Sequence, residues 1–74
     1  MTNIMNLVNQ YGNVVVDFEE IAVNCSTESN YTKCVNSLVN AGLEIFSVDK
    51  MDGVTAFVLN GTLIQVSAPY GDDI

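Results

Sequence analysis

Two dipeptides, Asp52-Gly53 and Asn60-Gly61, limit the architecture of this chain more than any other feature. Asp-Gly and Asn-Gly suit loop positions where both residues take positive φ, so each marks a two-residue hairpin turn. The segment around them, residues 43–68, is rich in β-branched and aromatic side chains, which predicts a three-stranded antiparallel meander. Two-residue loops place Val48 opposite Phe57, Phe57 opposite Ile64, Phe46 opposite Leu59, and Val66 beside Thr55 on one apolar face. The other face is mixed. It carries Asp49, Ala56 and Gln65 in one row, Ser47, Val58 and Leu63 in the next, and Ile45 beyond.

Upstream of the meander the apolar period changes. With Thr2 as N-cap, Ile4, Leu7, Val8 and Tyr11 fall on one helical face, Asn3, Asn6, Asn9 and Gln10 fall on the other, and Gly12 supplies a stop. Val14-Val15-Val16 reads as a brief extended segment. Asp17 followed by Glu20 resembles a capping box, predicting a second helix with Phe18, Ile21 and Ala22 on its buried side. A competing reading makes residues 14–24 one long strand with Val14, Val16 and Phe18 alternating, although that alternation breaks at Glu20-Ile21-Ala22-Val23. The clearest helix follows. Ser26 or Thr27 caps it, Tyr31, Cys34, Val35, Leu38 and Val39 form its stripe, and Gly42 sits where a left-handed C′ residue belongs.

With 74 residues and an apolar fraction of 49%, the chain is one domain with enough material for a core. Nine acidic residues against two lysines give a net charge of −7, which should repel nucleic acid and anionic membranes. No apolar run approaches the roughly 20 residues needed to cross a bilayer, and the N-terminal stretch lacks a secretory pattern. The expected location is therefore cytoplasmic or nuclear. Cys25 and Cys34 are spaced too far apart for a CxxC motif, and without histidine they read mainly as buried thiols, with a disulfide as the alternative. The Asn-x-Ser/Thr triplets at Asn24, Asn30 and Asn60 are expected by chance in so asparagine-rich a chain. No catalytic set, cofactor or metal site can be assembled, so an enzyme is not expected.

The run "IMNLVNQYGNVVVDFEEIAVNCSTESNYTKCVNSLVNAGLEIFSV" resembles the winged helix-turn-helix domain of small bacterial regulators of the MarR and ArsR type. The marks are a first helix ending at Gly12, Glu20-Ile21-Ala22 in a second helix, and a third helix ending in the stretch from Leu38 through Gly42-Leu43. The resemblance covers residues 4–59. It implies an α+β fold of three helices followed by the three-stranded meander, with the domain over residues 1–68, while Pro69, Gly71 and two aspartates mark residues 69–74 as an expected flexible acidic tail. The family's DNA readers carry arginine and lysine on the third helix and wing, whereas this chain offers only Lys33 and Lys50. In charge it is similar to the acidic, protein-binding winged helix at the C-terminus of the middle subunit of replication protein A.

The resemblance and the charge together suggest a small protein-interaction module, an adaptor or an inhibitor, viral inhibitors included, that binds a protein with a basic surface. The expected contact residues are Glu28, Lys33, Asn36 and Asn40 on the third helix, with Ile45, Val58 and Leu63 on the sheet. The isolated monomer is not expected to hold DNA. The alternative is a dimeric DNA-binding regulator. The third strand, Thr62 to Ala68, presents an edge that could pair with another chain, and it or the first helix could mediate homodimerisation.

Overall fold

The structure, a computed structural model, describes residues 4–69. The N-cap expected at Thr2, the position of Asn3 and residues 70–74 of the expected tail lie outside these. Among the described residues there are two helices and five strands: α1 (Ile4–Val8), β1 (Gly12–Asp17), β2 (Glu20–Cys25), α2 (Glu28–Asn40), β3 (Glu44–Asp49), β4 (Val54–Leu59) and β5 (Thr62–Ser67). All five strands join one mixed sheet in the order β1-β2-β5-β4-β3. The β2–β5 pair is parallel and every other pair antiparallel. The expectation of three helices and a separate three-stranded meander is therefore wrong, and with it the winged helix-turn-helix reading.

The correction centres on residues 17–25, where a hairpin replaces the expected second helix. Val14 faces Val23 and Val16 faces Ile21 across a loop of Phe18 and Glu19. A two-residue loop joins partners of opposite parity, so the inward set is even-numbered in β1 and odd-numbered in β2. A single-strand template registers that switch as a break in alternation, although each strand alternates cleanly. Burying Val23 and Cys25 against the helices outweighs the modest helix preference of Glu20 and Ala22. The Glu19 carbonyl accepts from the Leu63 N–H at 3.0 Å, tying the turn to β5. Gly12 is not a helix stop but the first residue of β1. A Cβ there would collide with the Asn24 carbonyl, so only glycine lets the two backbones approach this closely.

α2 forms as its spacing predicts. The Thr27 hydroxyl accepts from the Asn30 N–H at 3.0 Å, capping the N-terminus. At the other end Gly42, at φ 99°, donates to Val39 O, and Leu43 donates to Leu38 O at 3.1 Å. This is a Schellman closure, with Leu43 and Leu38 both buried beside it.

Within the expected meander, β4 and β5 meet as the sequence suggests: Phe57 faces Ile64, Thr55 faces Val66, and Asn60 (φ 52°) with Gly61 (φ 82°) makes the turn. The β3–β4 pairing differs. Lys50 to Gly53 form a four-residue loop, in which an Asp49 carboxylate oxygen accepts from the N–H groups of Met51 and Asp52, both at 3.1 Å. Val48 consequently faces Thr55, and a bulge at Phe46 lets Ile45 face Phe57. The expected Val48–Phe57 and Phe46–Leu59 pairs do not form. Nor does the Thr62–Ala68 segment present an edge, because β5 lies between β2 and β4.

Both helices lie on one side of the sheet. Val8 of α1 and Cys34 and Leu38 of α2 meet Val23, Cys25, Phe57, Ile64 and Val66, forming one core. Thr55 brings a hydroxyl into it, and the Tyr31 phenol on α2 meets that hydroxyl at 2.6 Å. Nearby, the Tyr11 phenol and the Ser37 hydroxyl lie 3.2 Å apart. α2 sits over β2 and β5 and stops short of β3, whose six residues are all exposed.

Candidate functional site

The opposite side of the sheet is covered by neither helix. Reading the registers across all five strands gives three rows on it: Asp17–Glu20–Leu63–Val58–Glu44, Val15–Ala22–Gln65–Ala56–Ser47, and Asn13–Asn24–Ser67–Val54–Asp49. Small side chains fill the middle. Ala56 is buried although neither helix lies over it. Val15, Val58 and Phe46 stand exposed around that floor, at 56%, 42% and 69%. The bulge turns Phe46 onto this side, where it borders a depression of about 330 Å³ with Ser47, Asp49, Ala56, Leu63 and Gln65.

Carboxylates stand at both edges of this face: Asp17 and Glu20 on the β1–β2 side, Glu44 and Asp49 on β3. Neither lysine joins them, since Lys33 lies on α2 and Lys50 in the loop after β3. The Gln65 side-chain amide donates to Glu20 Oε2 at 2.6 Å, fixing the carboxylate against the sheet while leaving its lone pairs partly free. A second depression, of about 500 Å³, opens beside the β1–β2 turn between Asp17, Glu20, Gly61 and Leu63. Phe18 stands at its rim with a side chain wholly in solvent.

Of the residues expected to contact a partner, Val58 and Leu63 are direct cross-strand neighbours on this face. Ile45 is on the other side, because the bulge pairs it with Phe57 in the helix-facing layer. Glu28, Lys33, Asn36 and Asn40 are all exposed along α2, which is also in the helical layer. The seven therefore divide between two sides of the molecule. Sequence reasoning missed Asp17, Glu20, Val15, Ala22 and Phe46, all of which depend on recognising β1 and β2 as paired strands or on seeing the bulge. The parity change between Val16 and Ile21 was the available signal for the first four.

The two thiols are in the core. Burial pushes the Cys34 thiol up to about 12, reinforced by the neighbouring Cys25, with which it shares a hydrogen bond. Burial also raises Cys25, partly opposed by that hydrogen bond. Both are free, and thiols held protonated in this way are poor nucleophiles. Among the described residues, no three cysteine or carboxylate side chains are grouped to hold a metal ion, and no helix is long and apolar enough to cross a membrane.

No protein-family model, curated protein or solved structure matches the chain.

Proposed function

We propose that this protein is a small acidic interaction module, an adaptor or inhibitor, whose open sheet face docks a protein partner bearing basic residues around an apolar anchor. One observation carries the reading: a five-stranded face that no element among the described residues covers has small and aliphatic residues at its centre, carboxylates at both edges and no lysine. A sheet face with Val15, Val58 and Phe46 in water leaves apolar area to be removed by a partner, and the flanking carboxylates favour a cationic one. The small side chains of Ala22 and Ala56 at the centre of the face admit the close approach of a helix or a strand pair.

Nucleic acid fits this surface poorly. The net charge of −7 opposes a polyanion, and two lysines on separate elements release few counterions compared with the roughly six to ten phosphate contacts of strong binders. A regulator that binds DNA as a dimer would have to do so against that charge.

The test uses two substitutions with the same change in charge on opposite sides of the molecule, Val58→Arg on the open face and Asn36→Arg on α2. Both variants and the wild type serve as bait in extract from the source organism or its host, with duplex DNA tested in parallel by mobility shift. Partner loss in Val58→Arg alone, together with no duplex retained at low salt, agrees with the proposal. Partner loss in Asn36→Arg alone, or salt-sensitive duplex binding by the wild type, contradicts it.

A further inference from the structure

The two edges of the sheet are protected very differently. β3 has a bulge at Phe46 and a carboxylate at each end, Glu44 and Asp49, all of which discourage another strand from adding. β1 has none of these over its central stretch. It presents Val14-Val15-Val16 with no proline, no bulge and a single charge, Asp17, at its end.

The polar groups available along β1 follow from the ladder. The Ser26 N–H donates to Tyr11 O at 3.3 Å, continuing the register by which residue 13 faces 24 and 15 faces 22. Hydrogen-bonded pairs alternate in an antiparallel ladder, so Asn13, Val15 and Asp17 direct their N–H and C=O groups to β2. Those of Gly12, Val14 and Val16 point away from the sheet.

We infer that β1 pairs antiparallel with β1 of a second copy, about a two-fold axis passing between the two Val15 residues. In this register Val14 and Val16 of one chain exchange backbone hydrogen bonds with Val16 and Val14 of the other. Val15 meets Val15 on the open face, and Asp17 lies opposite Asn13, which can donate to it. No like charges face each other. Phe18, wholly exposed in the single chain, comes beside Gly12 of the second copy, where no side chain stands in its way. A register shifted by two residues instead sets Val15 against Asn13 and Asp17 against Tyr11, giving up both matches. The occupant is thus specified by self-complementarity, the requirement of an isologous interface. The two helical layers fall on one side of the resulting ten-stranded sheet, and the two open faces become continuous.

Each copy carries a charge of −7, so association should strengthen as salt screens the repulsion. Sedimentation equilibrium at protein concentrations up to about 1 mM and salt from about 0.05 to about 0.5 M reads this directly. The wild type should rise from 8.0 kDa toward twice that mass. Val16→Pro removes an outward donor without touching the bonds to β2 and should weaken association at least about tenfold, since edge positions tolerate proline only where the N–H is not needed. Val16→Lys, at a side chain 60% exposed, serves if the proline variant loses its far-ultraviolet circular dichroism. Amide exchange at Val14 and Val16 should slow with rising concentration. A wild type that stays at 8.0 kDa under the highest salt overturns the inference, as does a dimer that the folded Val16 variants leave unchanged. Val16 is on the helix-facing side, so this result is independent of partner docking on the open face.

Discussion

Replacing Tyr31 with phenylalanine tests how the long helix is held to the sheet. The phenol meets the Thr55 hydroxyl at 2.6 Å, and Thr55 is 3% exposed. Removing the phenol keeps the ring's apolar contacts but leaves a buried hydroxyl without the partner it has now. An unmet buried polar group costs about 1–3 kcal/mol, whereas replacing both partners by apolar groups of the same shape is nearly neutral. Tyr31→Phe should therefore destabilise by about 1–3 kcal/mol, and adding Thr55→Val should recover most of the loss. Against a total stability of roughly 4–11 kcal/mol for a chain this long, that is easily measured. Urea unfolding of the wild type, both single variants and the double variant gives the coupling directly, and in thermal scans each kcal/mol should move Tm by roughly 4–8 °C. If the double variant loses as much as the two single variants added together, the hydroxyl pair does not join α2 to β4 and the placement of the helix is wrong.

Further outcomes follow from burial. Phe57 is fully buried, so Phe57→Ala should cost about 3–5 kcal/mol in urea unfolding, while Phe18→Ala, in solvent, should stay within about 0.5 kcal/mol. The reverse order would restore a helix that buries Phe18. Cys34 should resist a thiol reagent in the native state and react at the rate of unfolding. Its folded pKa lies above its unfolded value, so its contribution to stability is complete below the ordinary thiol pKa and is lost as pH rises from there toward about 12. In chemical denaturation the stability difference between wild type and Cys34→Ala should accordingly shrink over that alkaline range, and a difference that stays constant with pH would refute the shift.

How far the sequence reveals this fold depends on which signals are local. Helix α2 is legible because Thr27, the stripe of Cys34 and Leu38, and Gly42 each act within a turn or two. The Asn60-Gly61 turn is equally plain, and it brings Val58 beside Leu63 in the candidate surface. The β1–β2 turn has no such mark. Among the described residues Asn60 is the only non-glycine residue with positive φ, so the Phe18-Glu19 loop needs neither glycine nor asparagine and reads as ordinary chain. Asp17 and Glu20, which mimic a capping box, in fact face each other as the closing pair of the hairpin. The parallel β2–β5 pairing joins residues more than forty apart, between Ile21 and Ile64 for example, and no local pattern announces such a contact. Because the open face is assembled from that pairing, Asp17, Glu20 and Ala22 become parts of a surface only once β2 is seen as a strand.

The arrangement as a whole depends on β2 lying between β1 and β5. Nuclear Overhauser contacts on isotopically labelled protein read this most directly. Cross-strand contacts linking Val23 with both Val14 and Val66, and Ile21 with both Val16 and Ile64, are the predicted result. A continuous series of sequential amide contacts through residues 18–25, with none of those four pairs, would establish a helix there and dismantle the sheet.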